Sequence, residues 1–390
     1  MKTKFFLFIT INSFLFLVYS ASGQPVVTSA SGSFTHRGTV TISGNNFGVK
    51  SPAAPLHWDD GEDKTVDSPD TVRTQGGYSE VWSPSVCGAW RTAYKNSNSY
   101  RAVAPPHSRS TKYLGGGHKD NYPDNDACNN VLVTVAAPSQ KNEWFLIWYE
   151  RYSSDFPIEE PPGESGFNQK AGVFQTETTA YNGQICQVWG LLPFYISQGV
   201  ISPPDFCTGY CNPCNVGCHM AQYNMQDIRA DWQHNEVRLK VDGNAFIKMG
   251  QDNRWSADGS CAGPLFAAPR SWSIGGFLRY YDGEGNTYHT CNNAWRYFDD
   301  IYADNTFSRV MLANNQNYTL ATIVEPQIPS AWSNASITVR VNLGRLPTSG
   351  TAYLFVFDAN NSSNPVGRPI TIGGGGDVNP PQAPHPGVIP

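Results

Sequence analysis

The feature that most restricts the fold of this chain is a series of short runs that alternate between apolar and polar residues. Turn-forming residues separate these runs. Residues 39–44 (TVTISG) alternate and end at an Asn-Asn pair, and residues 144–152 (WFLIWYERY) form a longer aromatic and aliphatic run. Residues 234–241 alternate as well, and a turn sequence at 242–244 (DGN) follows them. A period of two is that of a β-strand, and no long stretch has the 3.6-residue period of a helix. The pattern predicts an all-β protein built from β-sandwiches.

The composition indicates an extracellular protein that does not bind nucleic acids. Of the 390 residues, 15% are charged and 13% are aromatic, whereas roughly a quarter are charged in ordinary soluble domains. Such a mixture is expected of an extracellular β protein whose turns and binding surfaces are polar but uncharged. The formal net charge is −5, so the chain lacks the basic balance that nucleic-acid binding requires.

Residues 1–23 have the three parts of a secretory signal peptide. Lys2 and Lys4 precede an apolar stretch at residues 5–19, and residues 21–23 (ASG) offer the small side chains of a cleavage site. The apolar stretch is short for a membrane span and contains polar residues. We therefore expect a secreted protein, extracellular or periplasmic, with no transmembrane segment in the mature chain.

Nine cysteines in an exported chain suggest disulfide bonds. Four of them lie close together and directly precede His219: Cys207, Cys211, Cys214 and Cys218. We interpret this cluster as a loop held by two disulfides, with three pairings open. Zinc held by four thiolates is one alternative. Covalent haem is another, because the end of the cluster differs from the C-x-x-C-H attachment motif by one extra residue. An oxidising compartment favours the disulfides.

Two segments far apart in the sequence resemble the two ends of one small domain. The first is Gly38-Thr-Val-Thr-Ile-Ser-Gly44-Asn-Asn-Phe47-Gly48, which resembles the opening strands of Ig-like TIG domains. The second, residues 332–339 (WSNASITV) followed by residues 353–357, resembles their closing strands. We expect one Ig-like domain made of residues 25–57 and 316–373, because neither piece alone buries enough apolar surface. Two unrelated small β units flanking a central domain are the alternative.

The intervening residues 58–315 resemble jelly-roll domains of the concanavalin A-like lectin and glucanase type. The resemblance rests on an acidic start (WDDGE, 58–62), the aromatic run at 144–152, the strand that follows Trp232, and a closing YFDDIY at 297–302. Similar segments occur in secreted bacterial proteins that carry this pair of modules. The resemblance implies a jelly-roll β-sandwich inserted in the smaller Ig-like sandwich. Residues 374–390, rich in Gly and Pro, are predicted to form a flexible tail.

The jelly-roll resemblance implies a concave sheet face that binds an extended glycan, with aromatic rings against the sugars and charged groups on their hydroxyls or carboxylates. Because neighbouring residues of a strand point to opposite faces, the strands at 144–152 and 234–241 each offer such a face. A solvated outer face with complementary charges is the alternative. The predicted glycan-binding residues are Trp148, Tyr149, Arg151, His234, Glu236 and Arg238.

Catalytic signatures of the resembling families are incomplete in this chain. The E-x-D-x-E strand of the glucanases is absent from the sequence. Where the alginate-lyase branch has Gln-Ile-His, this chain has Gln184-Ile185-Cys186. If the protein is an enzyme, a polysaccharide lyase is favoured over a glycoside hydrolase. Its candidate catalytic residues would be His234, Tyr149 and Arg151.

Calcium is the candidate cofactor. Asp60, Glu62 and Asp300 supply carboxylate oxygens near the start and the end of the insertion, where jelly rolls often bring their termini together. Turn capping and solvation are the alternative roles of these acids.

The leading hypothesis is a secreted bacterial protein that binds a polysaccharide or a cell-surface glycan. The jelly roll would hold the glycan, and the Ig-like domain would be a spacer or a docking platform. A lyase that cleaves an acidic glycan is the first alternative. A structural or adhesive surface protein is the second.

Overall fold

The computed structural model describes residues 23–60, 141–151, 299–373 and most of 232–240 with their side chains, and the backbone of the other strands given below. Residues 1–22 of the predicted signal peptide and the predicted tail lie outside the described residues, as do all nine cysteines. The disulfide, zinc and haem alternatives therefore stay predictions.

The described residues form β-strands and one 3-10 turn at Tyr318–Leu320, and the all-β prediction is confirmed. The strands before residue 200 are β1 (Val26–Gly32), β2 (Thr39–Asn45), β3 (His57–Asp59), β4 (Val72–Gln75), β5 (Tyr78–Trp82), β6 (Leu114–Gly117), β7 (Val131–Ala136), β8 (Glu143–Tyr152), β9 (Asn168–Gln169), β10 (Gly172–Thr176), β11 (Gln187–Val188) and β12 (Ile196–Ser197). The later strands are β13 (Val200–Ile201), β14 (Tyr223–Asn224), β15 (Gln233–Lys240), β16 (Asn244–Met249), β17 (Trp255–Ser260), β18 (Pro269–Gly276), β19 (Leu278–Arg279), β20 (Trp295–Asp304), β21 (Arg309–Ala313), β22 (Val324–Pro326), β23 (Ile328–Trp332), β24 (Ser336–Arg340), β25 (Gly350–Phe357) and β26 (Arg368–Ile372). Within the described part of the chain, no helix has the length and apolar character needed to cross a bilayer.

Strands from both ends of the chain form one small sandwich. One four-stranded sheet has the order β1-β2-β24-β23, and the other has the order β22-β21-β25-β26. Strand β2 pairs with β24, which places Val40 opposite Val339 and Ile42 opposite Ile337. These alternate residues are buried because every second side chain of a strand points to the same face. β21, which precedes the predicted boundary at residue 316, pairs with β25 in this unit.

The core of the small sandwich draws on both chain ends. Its first sheet contributes the apolar residues of β1 and β2 and of the segments beside them, and its second sheet contributes those of β21, β25 and β26. The buried members from the N-terminal segment are Ala30, Phe34, Val40, Ile42 and Phe47. Residues separated by most of the chain length therefore share one apolar core.

The intervening chain forms two larger sheets. One has the strand order β17-β16-β15-β8-β20-β3, with β6 also pairing with β20, and the other has the order β11-β10-β18-β7-β5-β4. In the first sheet β3 pairs with β20, with Trp58 opposite Tyr302 and His57 opposite Ala303. The two ends of the chain segment from β3 to β20 therefore lie side by side.

A second apolar core joins the sheet that contains β8 to the small sandwich, and we call it the joint. Strands β21 and β25 are buried on both faces, since Leu312 and Leu354 lie in the first core whereas Met311 and Phe355 lie in the joint. This explains why their sequences are nearly continuous apolar runs. The inserted sheet contributes Phe145, Ile147, Tyr149, Trp232 and Tyr302 to the joint.

Gly44 allows β1 and β2 to approach closely. A Cβ atom at this position would lie 1.9 Å from the backbone oxygen of Val26 and 2.4 Å from Cζ of Phe47. We expect G44A to lower the free energy of unfolding by about 1–3 kcal/mol, as overpacking does elsewhere. Urea denaturation measures the loss. The neighbouring variant S43A should change it by less than about 0.5 kcal/mol, and equal losses in both variants would contradict this explanation.

Candidate functional site

The two strands of the predicted glycan site are neighbours in one sheet. β8 pairs with β15, and the register places Tyr149 opposite His234 and Ile147 opposite Glu236. Arg238 lies opposite Phe145. Directly opposed residues share a face of the sheet, so the predicted residues Tyr149, His234, Glu236 and Arg238 lie on one face.

That face is closed. It packs against β21, β22 and β25 of the small sandwich through the joint. Tyr149 is 2% exposed, His234 is 6% exposed and Glu236 is fully buried. The expectation of an open glycan groove on this face is therefore corrected, because a second β unit covers the surface on which the sugar would lie.

The opposite face of β8 is closed as well. Trp148 is fully buried, and its indole nitrogen donates to Oε2 of Glu150 at 3.4 Å. Trp144 and Leu146 on the same side are also buried. Trp148 therefore is a core residue rather than a sugar platform. Arg151, near the end of β8 and opposite Tyr297, is partly exposed.

Glu236 is the centre of a buried polar network inside the joint. Its Oε1 lies 2.8 Å from Nε2 of His234 and accepts from the hydroxyl of Tyr318 at 3.4 Å. Its Oε2 lies 3.5 Å from Nη2 of Arg309. His234 and Glu236 come from the inserted sheet, whereas Arg309 and Tyr318 belong to β21 and the turn that follows it. The network thus bonds the two units to each other.

Arg309 is the charged centre of the joint on the side of the small sandwich, and it is not among the residues predicted from the sequence. Its guanidinium carbon lies 4.0 Å from the ring centre of Phe357, 4.4 Å from that of Phe307 and 5.0 Å from that of Phe145. It also donates to the backbone oxygen of Phe307 and to Oδ1 of Asn361, both at 3.0 Å. A guanidinium is suited to such a site because its planar faces stack on rings while its edge donates hydrogen bonds.

Arg238 makes a second connection across the joint, nearer the solvent. Its Nε donates to Glu143 at 2.7 Å, and its Nη2 donates to the backbone oxygen of Ala359 at 3.4 Å. The guanidinium carbon lies 4.6 Å from the ring centre of Phe307. The charge predicted to bind an acidic sugar therefore bonds within the sheet and to a turn of the small sandwich.

Tyr149 is held as a hydrogen-bond donor. Its hydroxyl donates to the backbone oxygen of Val324 and lies 3.0 Å from Oε2 of Glu325, both on β22. Burial, followed by the charge of Glu325, raises the pKa of Tyr149 well above its ordinary value. The rings of Tyr149 and His234 meet edge to face at 4.9 Å between centres. A phenol in this position keeps its proton and is a poor general base.

The predicted calcium ligands fall in different surroundings. Glu62 lies outside the described residues. Asp60 forms an exposed ion pair with Arg37 at 3.3 Å. Asp300 is buried, with φ of 48° at a register irregularity of β20, and burial followed by the charge of Asp299 raises its pKa well above the ordinary value. Among the described residues, no group of three or more His, Cys, Asp or Glu could hold a metal ion. Calcium at these positions stays a prediction.

Comparisons with known proteins give distant likenesses only. No known protein family and no curated protein matches the sequence. Among solved structures, the chain is similar to an endo-β-1,4-glucuronan lyase from Trichoderma reesei, at 12% identity and a TM-score of 0.32, over 65% of this chain and 96% of that one. It is also similar to a PL-14 alginate lyase from Aplysia kurodai, at 13% identity and a TM-score of 0.28, over 51% of this chain and 85% of that one. A third similar structure is a legume lectin-like domain from Entamoeba histolytica, at 9% identity and a TM-score of 0.25, over 49% of this chain and 89% of that one. TM-scores this far below 0.5 carry no argument about activity.

Glu236 and Glu143 provide a matched test of the joint, since each pairs with an arginine of the same interface. E236Q leaves the buried guanidinium of Arg309 without its counter-charge, and we expect it to lower the free energy of unfolding by about 3–5 kcal/mol. E143Q weakens a pair that is nearer the solvent and should cost about 1 kcal/mol or less. Chemical denaturation of both variants measures the difference. A loss as small in E236Q as in E143Q would contradict the role of the network.

Proposed function

We propose that the protein is an exported, carbohydrate-binding protein in which the insertion recognises the glycan and the small sandwich is its platform. The observation that carries the proposal is the burial of Tyr149 and His234 in the joint. They are two of the three residues that the sequence offers for β-elimination, and Arg151 is the third. With both held inside the protein, binding explains the aromatic-rich and charge-poor chain better than bond cleavage does.

The geometry argues against the lyase alternative for these residues. A lyase base must reach a proton on the sugar ring, within about 3 Å or through one water. The Tyr149 hydroxyl instead faces β22, where it bonds Val324 and Glu325. The imidazole of His234 bonds Glu236 in the same closed space. A polymeric substrate would have to separate the two units before it met either group.

We propose that the glycan surface belongs to the other large sheet, which contains β7, β10 and β18. Both faces of β8 at the centre of the first sheet are already closed. In the ladder of the second sheet, Ser273 lies opposite Thr134 and Val173, and Ser271 lies opposite Ala136 and Gln175. Four of these six ladder positions carry hydroxyl or amide residue types, which suit hydrogen bonding to sugar hydroxyls.

We further propose that the small sandwich is an Ig-like domain of the TIG type, split by the insertion, and that residues 1–23 direct export. The shared core of β1, β2 and the C-terminal strands supports the first statement. The sequence of the first 23 residues supports the second. A platform of this kind presents the insertion in a fixed orientation because the joint is apolar and polar bonds cross it.

Glycan arrays and calorimetry with neutral and acidic polysaccharides test the proposed function. We expect saturable binding to at least one glycan, with no rise in the absorbance of an unsaturated product. The variant Y149F should bind that glycan as tightly as the wild type while losing about 1–3 kcal/mol of stability, because it removes only the bond to β22. The control S43A, in the small sandwich, should change neither quantity.

Three other results would count against the proposal. Release of unsaturated product that Y149F abolishes would favour the lyase. If Y149F keeps its fold but loses glycan affinity, the glycan site would lie on the face of β8 and β15 that contains Tyr149. Absence of binding to every glycan, together with assembly into filaments or pairing with a surface protein, would favour the structural or adhesive alternative.

A further inference from the structure

The polypeptide crosses between the two β units twice, and one ion pair connects the outgoing crossing to the strand end at which the returning crossing begins. The chain leaves the small sandwich after β2 through residues 46–56, and it returns from β20 to β21 through residues 305–308. Lys50 lies in the outgoing crossing, and Asp304 is the last residue of β20. Their Nζ and Oδ2 atoms are 2.7 Å apart, and both side chains are fully buried.

The partners of the pair hold it in one geometry. Oδ2 of Asp304 accepts from the hydroxyl of Tyr302 at 2.8 Å, and its Oδ1 accepts from the backbone N–H of Asn305 at 2.9 Å. Nζ of Lys50 also donates to the backbone oxygen of Ala53 at 2.7 Å. The carboxyl group therefore bonds the strand it ends, the returning crossing and the outgoing crossing.

We propose that Lys50 and Asp304 form a proton-controlled clamp, which sets how firmly the two β units are held together according to pH. The inference goes beyond glycan binding and does not depend on it. The clamp stands at the only two places where the described backbone passes between the small sandwich and the sheet of β20. A change in its charge state therefore acts directly on the joint.

The titration of Asp304 lies in a range that an exported protein meets. Burial raises its pKa from 3.8 to about 6, against the opposing effects of the Lys50 charge and of the bonds from Lys50, Tyr302 and Asn305. The nearby groups from other elements are Lys50 itself, Arg309 on β21, which acts on Tyr302, and His57 on β3, which lies opposite Ala303. Burial also raises the pKa of Tyr302 well above its ordinary value, so its hydroxyl remains a donor.

The sign of the effect follows from the two pKa values of Asp304. The folded protein holds the proton more tightly than the unfolded chain, so the contribution of this group is fully present below pH 3.8. It is lost as the pH rises through about 6. Between about pH 4.5 and about pH 7.5 the unfolding constant should rise by about 25-fold through this group alone. In mild acid the carboxyl group of Asp304 is protonated, which removes the cost of burying its negative charge, and this cost exceeds what the charge of Lys50 returns. The clamp is thus tighter in mild acid, where the two side chains meet as a neutral acid and an ammonium group, than at neutral pH, where they form a charged pair.

Urea denaturation at these two pH values, followed by tryptophan fluorescence, tests the clamp. The double variant K50M/D304L replaces the pair with apolar side chains of similar size, a change that buried ion pairs often tolerate. We expect the unfolding constant of the wild type, divided by that of this variant, to rise by about 20- to 30-fold from the acidic to the neutral condition. K50R keeps the positive charge and should follow the wild type. A ratio that stays constant, or a K50R variant without pH dependence, would overturn the proposal.

If the double variant K50M/D304L does not fold, a second variant and a local measurement test the clamp instead. D304N removes the titrating group, so the unfolding constant of the wild type divided by that of D304N should rise from the acidic to the neutral condition by the same factor. Hydrogen exchange, corrected for the intrinsic effect of pH, should show greater protection of residues 46–56 and 305–308 in acid for the wild type. D304N should lose this difference. Equal protection at both pH values in the wild type would contradict the clamp even if global stability varied.

Discussion

Burial of one sheet face against a second β unit determines most of what this molecule presents to its surroundings. The face of β8 and β15 that carries Tyr149 and His234 meets β21 and β25, and these two strands already have the core of the small sandwich on their other side. Neither unit can therefore expose this surface without leaving a large apolar area in water. The bonds that Glu236 makes with Arg309 and Tyr318 cross between the two units and restrict the contact to one arrangement, because both are lost if the sheets slide.

The strands and their faces could be predicted from the sequence, because both follow from a period of two. Residues 39–44, 144–152 and 234–240 lie in strands, and Tyr149 does share a face with His234. What covers a face does not follow from alternation. A face that packs in the core of its own unit has the same apolar pattern as a face that a second unit covers. The strands that cover Tyr149 lie more than 150 residues after it in the chain. For this reason the predicted groove is a closed joint.

The charged residues of the joint were harder to predict still. Arg309 begins an otherwise apolar strand, RVMLA, and a lone charge within such a run is a signal that it has a buried partner. The sequence does not say which partner, since Glu236 and the rings of Phe145 and Phe357 come from three separate segments. Lys50 and Asp304 pose the same difficulty. Each is unremarkable in its own segment, and only the adjacency of β3 and β20 brings them together.

The division of the small sandwich also governs the order in which the molecule can assemble. The hairpin of β1 and β2 leaves the ribosome long before its neighbour β24, which is made almost 300 residues later. Strand pairings so distant in sequence form slowly, because the entropy cost of closing a very long loop comes before the stabilising contacts form. In the meantime β2 has an unpaired edge of the kind that joins to foreign strands. A chaperone that covers this edge until the C-terminal strands are made therefore protects the early hairpin from pairing with other chains.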